Sequence, residues 1–228
     1  MTWMQVEEYL RSDDRCVLPL GSTEQHAYIS LATDAILADR VANDAAEPLG
    51  IPVFPALNYG ITPYFMGYPG TVTISPKTYG QMLTEILASI RSHGFKRILV
   101  VNGHGGNSPA RAVAEAWAQR EGAELIWHNW FNTPIVRAAV DDMDSDASHA
   151  SWMESFPWTR VEGVVVPDGH KDPADLSGRD ELSPAAFREV IGDGCFGGDY
   201  QRADAEMLAL WDVAIAETRA ILTEGWTG

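Results

Sequence analysis

Four side chains in the first half of the sequence have the types and spacing to hold metal ions. Glu24 and His26 lie in Ser22-Thr-Glu-Gln-His26, Asp34 follows shortly after, and His104 sits in Asn102-Gly-His-Gly-Gly-Asn107. Two carboxylates and two imidazoles mix hard oxygen with borderline nitrogen ligands, a set better suited to a pair of divalent cations than to a structural zinc site. A carboxylate can bridge two cations about 3.5–4 Å apart, and such pairs activate water. The chemistry implied is metal-dependent hydrolysis. Glu24 and His26 are two positions apart and project to the same side of an extended segment, so each can serve one of two neighbouring metals. Asp34 stands at a helix start, where an acid is ordinarily a cap or a first-turn residue. Beside Glu24 and His26 it is also the natural bridging carboxylate.

The loop around His104 has a rival reading, because a strand, a glycine-rich turn and a helix also describe a phosphate cradle. The dinucleotide fingerprint needs a third glycine where Ser108 stands, and the phosphate-loop lysine is absent. Metal ligation by His104 is the better reading, with Gly105 leaving the backbone open to a substrate. His149 and Glu154, in Ser148-His-Ala-Ser-Trp-Met-Glu154, are candidates for a remaining ligand or for the acid and base that a metal-activated water needs; a solvated acidic loop is the alternative. Tyr59, Tyr64, Trp152 and Trp158 are candidates to wall a pocket, with core packing the ordinary role of such residues. His93 reads as a helix-end residue, His128 as packed in or beside a strand, and His170 as a turn residue.

The elements that must position these groups follow from periodicity. Residues 3–11 predict an amphipathic helix with Trp3, Val6 and Leu10 on one face. Cys16–Leu20, Ile51–Phe54, Arg97–Val101, Glu124–Trp130 and Val161–Val166 read as strands. Helices are expected from Ala35 to Ala42, capped by Thr33 or Asp34; from Ser75-Pro76 to Gly94; from Ser108-Pro109 to about Arg120; and over 203–224. The Gly-, Pro- and aromatic-rich stretch Tyr59–Thr73 reads as a structured loop that shapes a binding mouth. Alternating strands and helices predict an α/β fold with a mostly parallel sheet between helical layers. Sites in such sheets form beyond the carboxyl ends of strands, which is where both ligand-rich loops fall.

The 228 residues read as a single domain over 1–228 with a substantial core. The formal charge of −16 argues against nucleic acid and anionic membranes as partners. Cys16 and Cys195 match no ligand spacing and read as reduced, buried residues of a cytoplasmic protein. Neither a signal peptide nor a membrane span of roughly 18 apolar residues is expected.

Several ordered motifs resemble the creatininase (creatinine amidohydrolase) family: Leu18-Pro-Leu-Gly-Ser-Thr-Glu-Gln-His26 with Asp34, Tyr68-Pro-Gly-Thr71, Gly94-Phe95 leading to Asn102–Asn107, and His149-Ala with Glu154-Ser155. The resemblance covers most of the chain. It implies a three-layer α/β/α sandwich, two divalent ions per chain (zinc and/or manganese), and a homo-oligomer, often a hexamer. By position it implies Glu24, Asp34 and His104 around one metal, and His26, the shared Asp34 and a further glutamate around the other. In creatininase that glutamate lies two residues after the loop histidine, where this chain has Gly106, so Glu154 is the candidate here. His149 matches a histidine implicated in proton transfer. Ala27-Tyr-Ile-Ser-Leu31 replaces the family's usual residues after His26, and Ser148 replaces a glutamate, changes that alter the pocket and argue against creatinine as substrate. The function implied is hydrolysis of a C–N bond in a small cyclic amide or formamide-like molecule. A peptidase trimming a short modified peptide, and a non-catalytic metal or nucleotide binder, are the alternatives.

Overall fold

The computed structural model describes residues 1–227. Strands β1 (Arg15–Leu20), β2 (Arg97–Asn102) and β3 (Glu124–Asn129) form a parallel sheet in the order β1-β2-β3. Val17 lies opposite Leu99, and Leu99 opposite Ile126. Because side chains alternate across a strand, the sheet is apolar on both faces and builds two cores. Val17, Leu99 and Val101 pack with α2 (Thr33–Ala46), α5 (Pro134–Asp141) and α7 (Asp204–Glu224). Cys16, Leu18, Leu20, Ile98 and Val100 pack on the other face with α3 (Pro76–Ser92) and α4 (Ser108–Glu121). Each large aliphatic side chain buried this way contributes about 1.5–3 kcal/mol. The expected α/β architecture with helices on both faces is the one observed. Among the described residues, no helix is long and apolar enough to cross a membrane.

Two glycines bring α2 onto the strand ends. A Cβ at Gly21, just after β1, would lie 2.4 Å from Ala35 Cα, and one at Gly103, just after β2, would lie 2.5 Å from the Asp34 carbonyl oxygen. Only a residue without a side chain lets the first turn of α2 settle there. That turn is not capped by Thr33 or Asp34 as expected. The N-cap is Ala32, without a side-chain bond, and Thr33 Oγ1 instead donates to Ser30 O at 2.6 Å. The Asp34 carboxylate is thereby left free for the site.

Several expectations need correcting. Ile51–Phe54 runs beside β1 but pairs only at isolated points: Val17 N donates to Pro52 O at 3.0 Å and Phe54 N to Val17 O at 2.9 Å. Pro52 and Pro55 have no N–H to continue the ladder. Val161–Val166 is irregular, with Val165 86% exposed; β-branched residues make a strand only where a partner strand accepts them. Trp3 on α1 (Trp3–Tyr9) is 72% exposed, and Val6, Tyr9 and Leu10 are the residues here that pack against the core. His170 is not in a turn. It opens β4 (His170–Lys171), which pairs antiparallel with β5 (Gly198–Asp199). Helices α5 and α6 (Pro184–Ile191) were not anticipated, although Thr133-Pro134 and Ser183-Pro184 carry the cap-then-proline signature.

Gly21→Ala should lower stability by about 1–3 kcal/mol through overpacking, read as a fall in the urea midpoint; an unchanged midpoint would show that α2 does not lean on this position. His128 on β3 is buried, bonds Thr218 Oγ1 at 3.0 Å, and is pushed down to about 4 by burial. The unfolded imidazole binds its proton near pH 6.5, so the unfolded state gains protons first as pH falls, and stability drops between about pH 6.5 and 4. His128→Gln should remove about 2–3 kcal/mol of that acid-induced loss, measured as the difference in urea midpoints between wild type and variant across this range.

Candidate metal centre

Glu24 and His26 leave the end of β1, His104 leaves the end of β2, and Asp34 descends from the first turn of α2; all four are almost fully buried. His104 Nδ1 lies 3.3 Å from Glu24 Oε1 and 3.0 Å from Asp34 Oδ2. His26 Nε2 lies 3.0 Å from Asp34 Oδ1 and 3.8 Å from Glu154 Oε2. Two three-residue groups therefore meet at Asp34: Glu24, Asp34 and His104 on one side, and His26, Asp34 and Glu154 on the other. Glu154, in a 3₁₀ turn over Trp152–Glu154, is buried and accepts from Ala150 N at 2.6 Å.

The two imidazoles are oriented from behind. His26 Nδ1 is 3.1 Å from its acceptor Glu24 O, and His104 Nε2 is 3.1 Å from Ile61 O. A carbonyl behind each ring takes the N–H, so the opposite nitrogen turns its lone pair toward carboxylate oxygens. Lone pairs facing carboxylates repel unless a positive charge lies between them, either a proton or a metal ion. Asp34 Oδ2 is buried and accepts no hydrogen bond, as expected of a ligand atom. The donor set and this orphaned oxygen fit a divalent pair. The same tension appears in the titration of the groups. Burial lowers His26, but Asp34, Glu154 and Glu24 outweigh it and raise it to about 10; His104 is raised well above its usual value against the same burial penalty by Glu24 and Asp34. Burial pushes Glu154 up to about 7, with His26 opposing.

A network of asparagines holds the His104 loop. Asn102 Nδ2 donates to His104 O (2.7 Å) and to Asn129 Oδ1 (2.9 Å), while Asn107 Nδ2 donates to Asn102 Oδ1 (3.1 Å) and Gly21 O (3.2 Å). Gly106 has no room for a side chain: a Cβ there would lie 2.1 Å from Ile61 O and 2.4 Å from His104 Nε2. No glutamate can stand at this position in the present backbone, and Glu154 occupies the space facing His26.

His149 completes the cluster. Its Nε2 is bracketed by Gln25, whose side-chain Nε2 lies at 2.9 Å and whose carbonyl oxygen lies at 3.1 Å, so it is satisfied in either tautomer. Nδ1 remains on the Glu24 side, 3.9 Å from Oε1. Phe65 stacks on the ring and Phe196 packs against it, both at 4.7 Å between centroids. Burial, then His26, hold His149 well below its usual value, so it is neutral near pH 7. The residues that follow His26 and His149, Ala27 and Ala150, both have positive φ, 48° and 61°, a conformation uncommon outside glycine.

Glu24, Asp34, His104, His149 and Glu154 line a cavity of about 390 Å³ that also receives Tyr64 and Gly105. Tyr59 and Trp152 do not reach it. Tyr59 is 52% exposed elsewhere on the surface. Trp152 is fully buried in the core, its indole donating to Asp144 Oδ2 at 3.0 Å under the Arg202 guanidinium. Trp158 stacks on Phe156 in the same core. The aromatic wall is built instead by Phe65, Phe196 and Tyr64, and Arg137 and Arg179 also line the cavity. The amino-acid sequence singles out neither Gln25 nor Phe65, although the first lies in the Glu24–His26 motif and the second in the mouth-shaping stretch; Phe196 and the two arginines carry no local signal.

The chain matches the creatininase family model, described as creatinine amidohydrolase, over residues 1–222. It is 37% identical over 140 residues to a mycofactocin precursor peptide peptidase of Mycolicibacterium smegmatis, covering 58% of this chain and 53% of that protein. It is 28% identical over 199 residues to a 3-dehydro-scyllo-inosose hydrolase of Thermotoga maritima, covering 76% of this chain and 63% of that protein. The matched region thus spans between about half and two thirds of these relatives. A crystal structure of creatinine amidohydrolase superposes with a TM-score of 0.83 at 20% identity, covering 100% of this chain and 96% of the other, which shows a shared fold. With a family match over nearly its whole length and two carboxylate–histidine groups meeting at one buried aspartate, the chain belongs to the creatininase family.

Proposed function

We propose that the protein is a dinuclear metal-dependent amidohydrolase acting on a C–N bond of a small cyclic amide or formamide-like substrate. The observation that carries this reading is Asp34, buried, with one oxygen facing His26 and the other, free of hydrogen bonds, facing His104. Glu24, Asp34 and His104 would hold one cation, and His26, Asp34 and Glu154 the other, with zinc or manganese both compatible with this ligand set. When bound, such a pair supplies an acidified water and a Lewis acid for a carbonyl oxygen.

The chain's own residues do the rest. Neutral His149 takes a proton at Nδ1 as water oxygen adds to the amide carbon, and Gln25 O accepts the Nε2–H of the resulting imidazolium. The C–N bond then breaks and Nδ1 returns the proton to the leaving nitrogen. Phe65, stacked on the ring, and Phe196, tilted against it, keep the ring in place. A cavity of about 390 Å³ lies at the small end of the range for ligand pockets and favours a compact amide. A second reading, trimming of a short peptide, is supported by the 37% identity to a peptidase.

Elemental analysis of the purified protein should find about two divalent ions per chain, with sharp losses in His104→Ala and Asp34→Asn. A protein without metal that takes up neither zinc nor manganese would defeat the hydrolase reading in favour of a non-catalytic binder. In a screen of cyclic amides, formamides and short peptides, His149→Ala should keep its metals and lose about 10²–10⁴-fold in kcat. An unchanged kcat would remove His149 from the proton path, and turnover of peptides alone would favour the second reading.

A further inference from the structure

Two guanidinium groups line a cavity whose carboxylate lining residues are Glu24, Asp34 and Glu154, in a chain of formal charge −16. They come from separate elements, Arg137 from α5 and Arg179 from the 3₁₀ turn Arg179–Glu181. Among the described residues, neither forms an ion pair with the metal-site carboxylates; their carboxylate contacts are Asp141 and Asp180. Arg137 is committed within the protein: Nη1 donates to Ala147 O at 3.0 Å and Nη2 to Asp141 Oδ1. Arg179 is not. Among the described residues its only carboxylate contact is Nε to Asp180 Oδ1 at 3.4 Å, and Asp180 is 89% exposed, so that pair is weak and screened. Neither of its terminal nitrogens has a hydrogen-bond partner among the described residues. The group is nonetheless held in place, with Cζ 4.9 Å from the centre of the Tyr64 ring, a cation–π contact. Tyr64 also lines the cavity, so this contact keeps the Arg179 fork at its wall. The geometry suits an anion: a planar donor fork, held by an aromatic face, on the wall of the cavity that contains the metal-site carboxylates.

We infer that the substrate carries a carboxylate, and that Arg179 binds it with Arg137 adding to the positive field. A single uncommitted guanidinium matches a single negative charge, which favours a carboxylate over a doubly charged phosphate. The substrate class is therefore an amide acid, such as an N-formyl or N-acyl amino acid or a lactam acid. The inference rests on the amide-hydrolase reading and names its substrate class; Arg179 is a specificity residue, outside the proton path.

The test uses metal-loaded, full-length protein and matched pairs: N-formylglycine against N-formylglycinamide, and 5-oxoproline against 2-pyrrolidinone. The acid of a pair should be preferred about tenfold or more in kcat/KM. Arg179→Gln should abolish the preference through KM, with kcat on the neutral member and metal content unchanged, and Arg179→Lys should restore part of it. Equal use of both members, or a preference that survives in Arg179→Gln, overturns the proposal. Binding of the same pairs is measured by calorimetry, which separates the two readings. If nothing is hydrolysed yet the acids bind about tenfold tighter in wild type and not in Arg179→Gln, carboxylate recognition stands and amide hydrolysis falls. Equal binding of acid and neutral members overturns the proposal whatever the turnover.

Discussion

The two oxygens of Asp34 face different imidazoles, His26 Nε2 on one side and His104 Nδ1 on the other, each 3.0 Å away. That single buried carboxylate sets tight conditions on the chain around it. Its helix must start with no side-chain cap claiming the acid, and Ala32 at the N-cap provides this. The helix must also approach both strand ends, which Gly21 and Gly103 allow. Each imidazole must turn away the nitrogen that would otherwise donate, and the carbonyls of Glu24 and Ile61 take those N–H groups. Removing any one of these supports would leave the carboxylate present but its partners misaligned by more than such a site tolerates.

The layout also draws its groups from different elements. Glu24, His26, Asp34 and His104 sit at the ends of the central strands and on α2, while Glu154 comes from a 3₁₀ turn. His149 comes from an irregular segment and is held by Gln25 and two aromatic rings. A ring pinned at one nitrogen, stacked on Phe65 and flanked by Phe196 keeps its orientation while its other nitrogen changes protonation. The left-handed backbone at Ala27 and Ala150, one residue after each of His26 and His149, shows that local conformational preference yields here to side-chain placement.

Much of this was legible in the amino-acid sequence, for a physical reason. Glu24, His26, Asp34 and His104 all lie within a few residues of an apolar strand or a helix start, so local pattern and site coincide. Legibility failed where long-range contacts decide. Val161–Val166 has the composition of a strand and no neighbour to pair with. Tyr59 and Trp152 have the chemistry of pocket walls, but one faces solvent and the other fills the core. Arg137 and Arg179 are ordinary surface residues by sequence, and only the packing of α5 and the 3₁₀ turn beside Tyr64 brings them to the cavity. Glu154 lay between these cases: the resemblance paired it with His26 and Asp34, while nothing local marked its segment as reaching them.

The broken pairing of residues 51–57 along β1 has a consequence beyond the site. A parallel sheet of three strands has an open flank on each side, and an open flank is a template on which another molecule can add a strand. On the β1 side that flank is occupied by a segment that bonds inward at Pro52 O, Phe54 N and Leu57 N, while Pro52 and Pro55 offer no N–H of their own. The sheet is thus terminated by chemistry as well as by geometry, and copies of this chain cannot fuse their sheets through that side into a continuous ribbon.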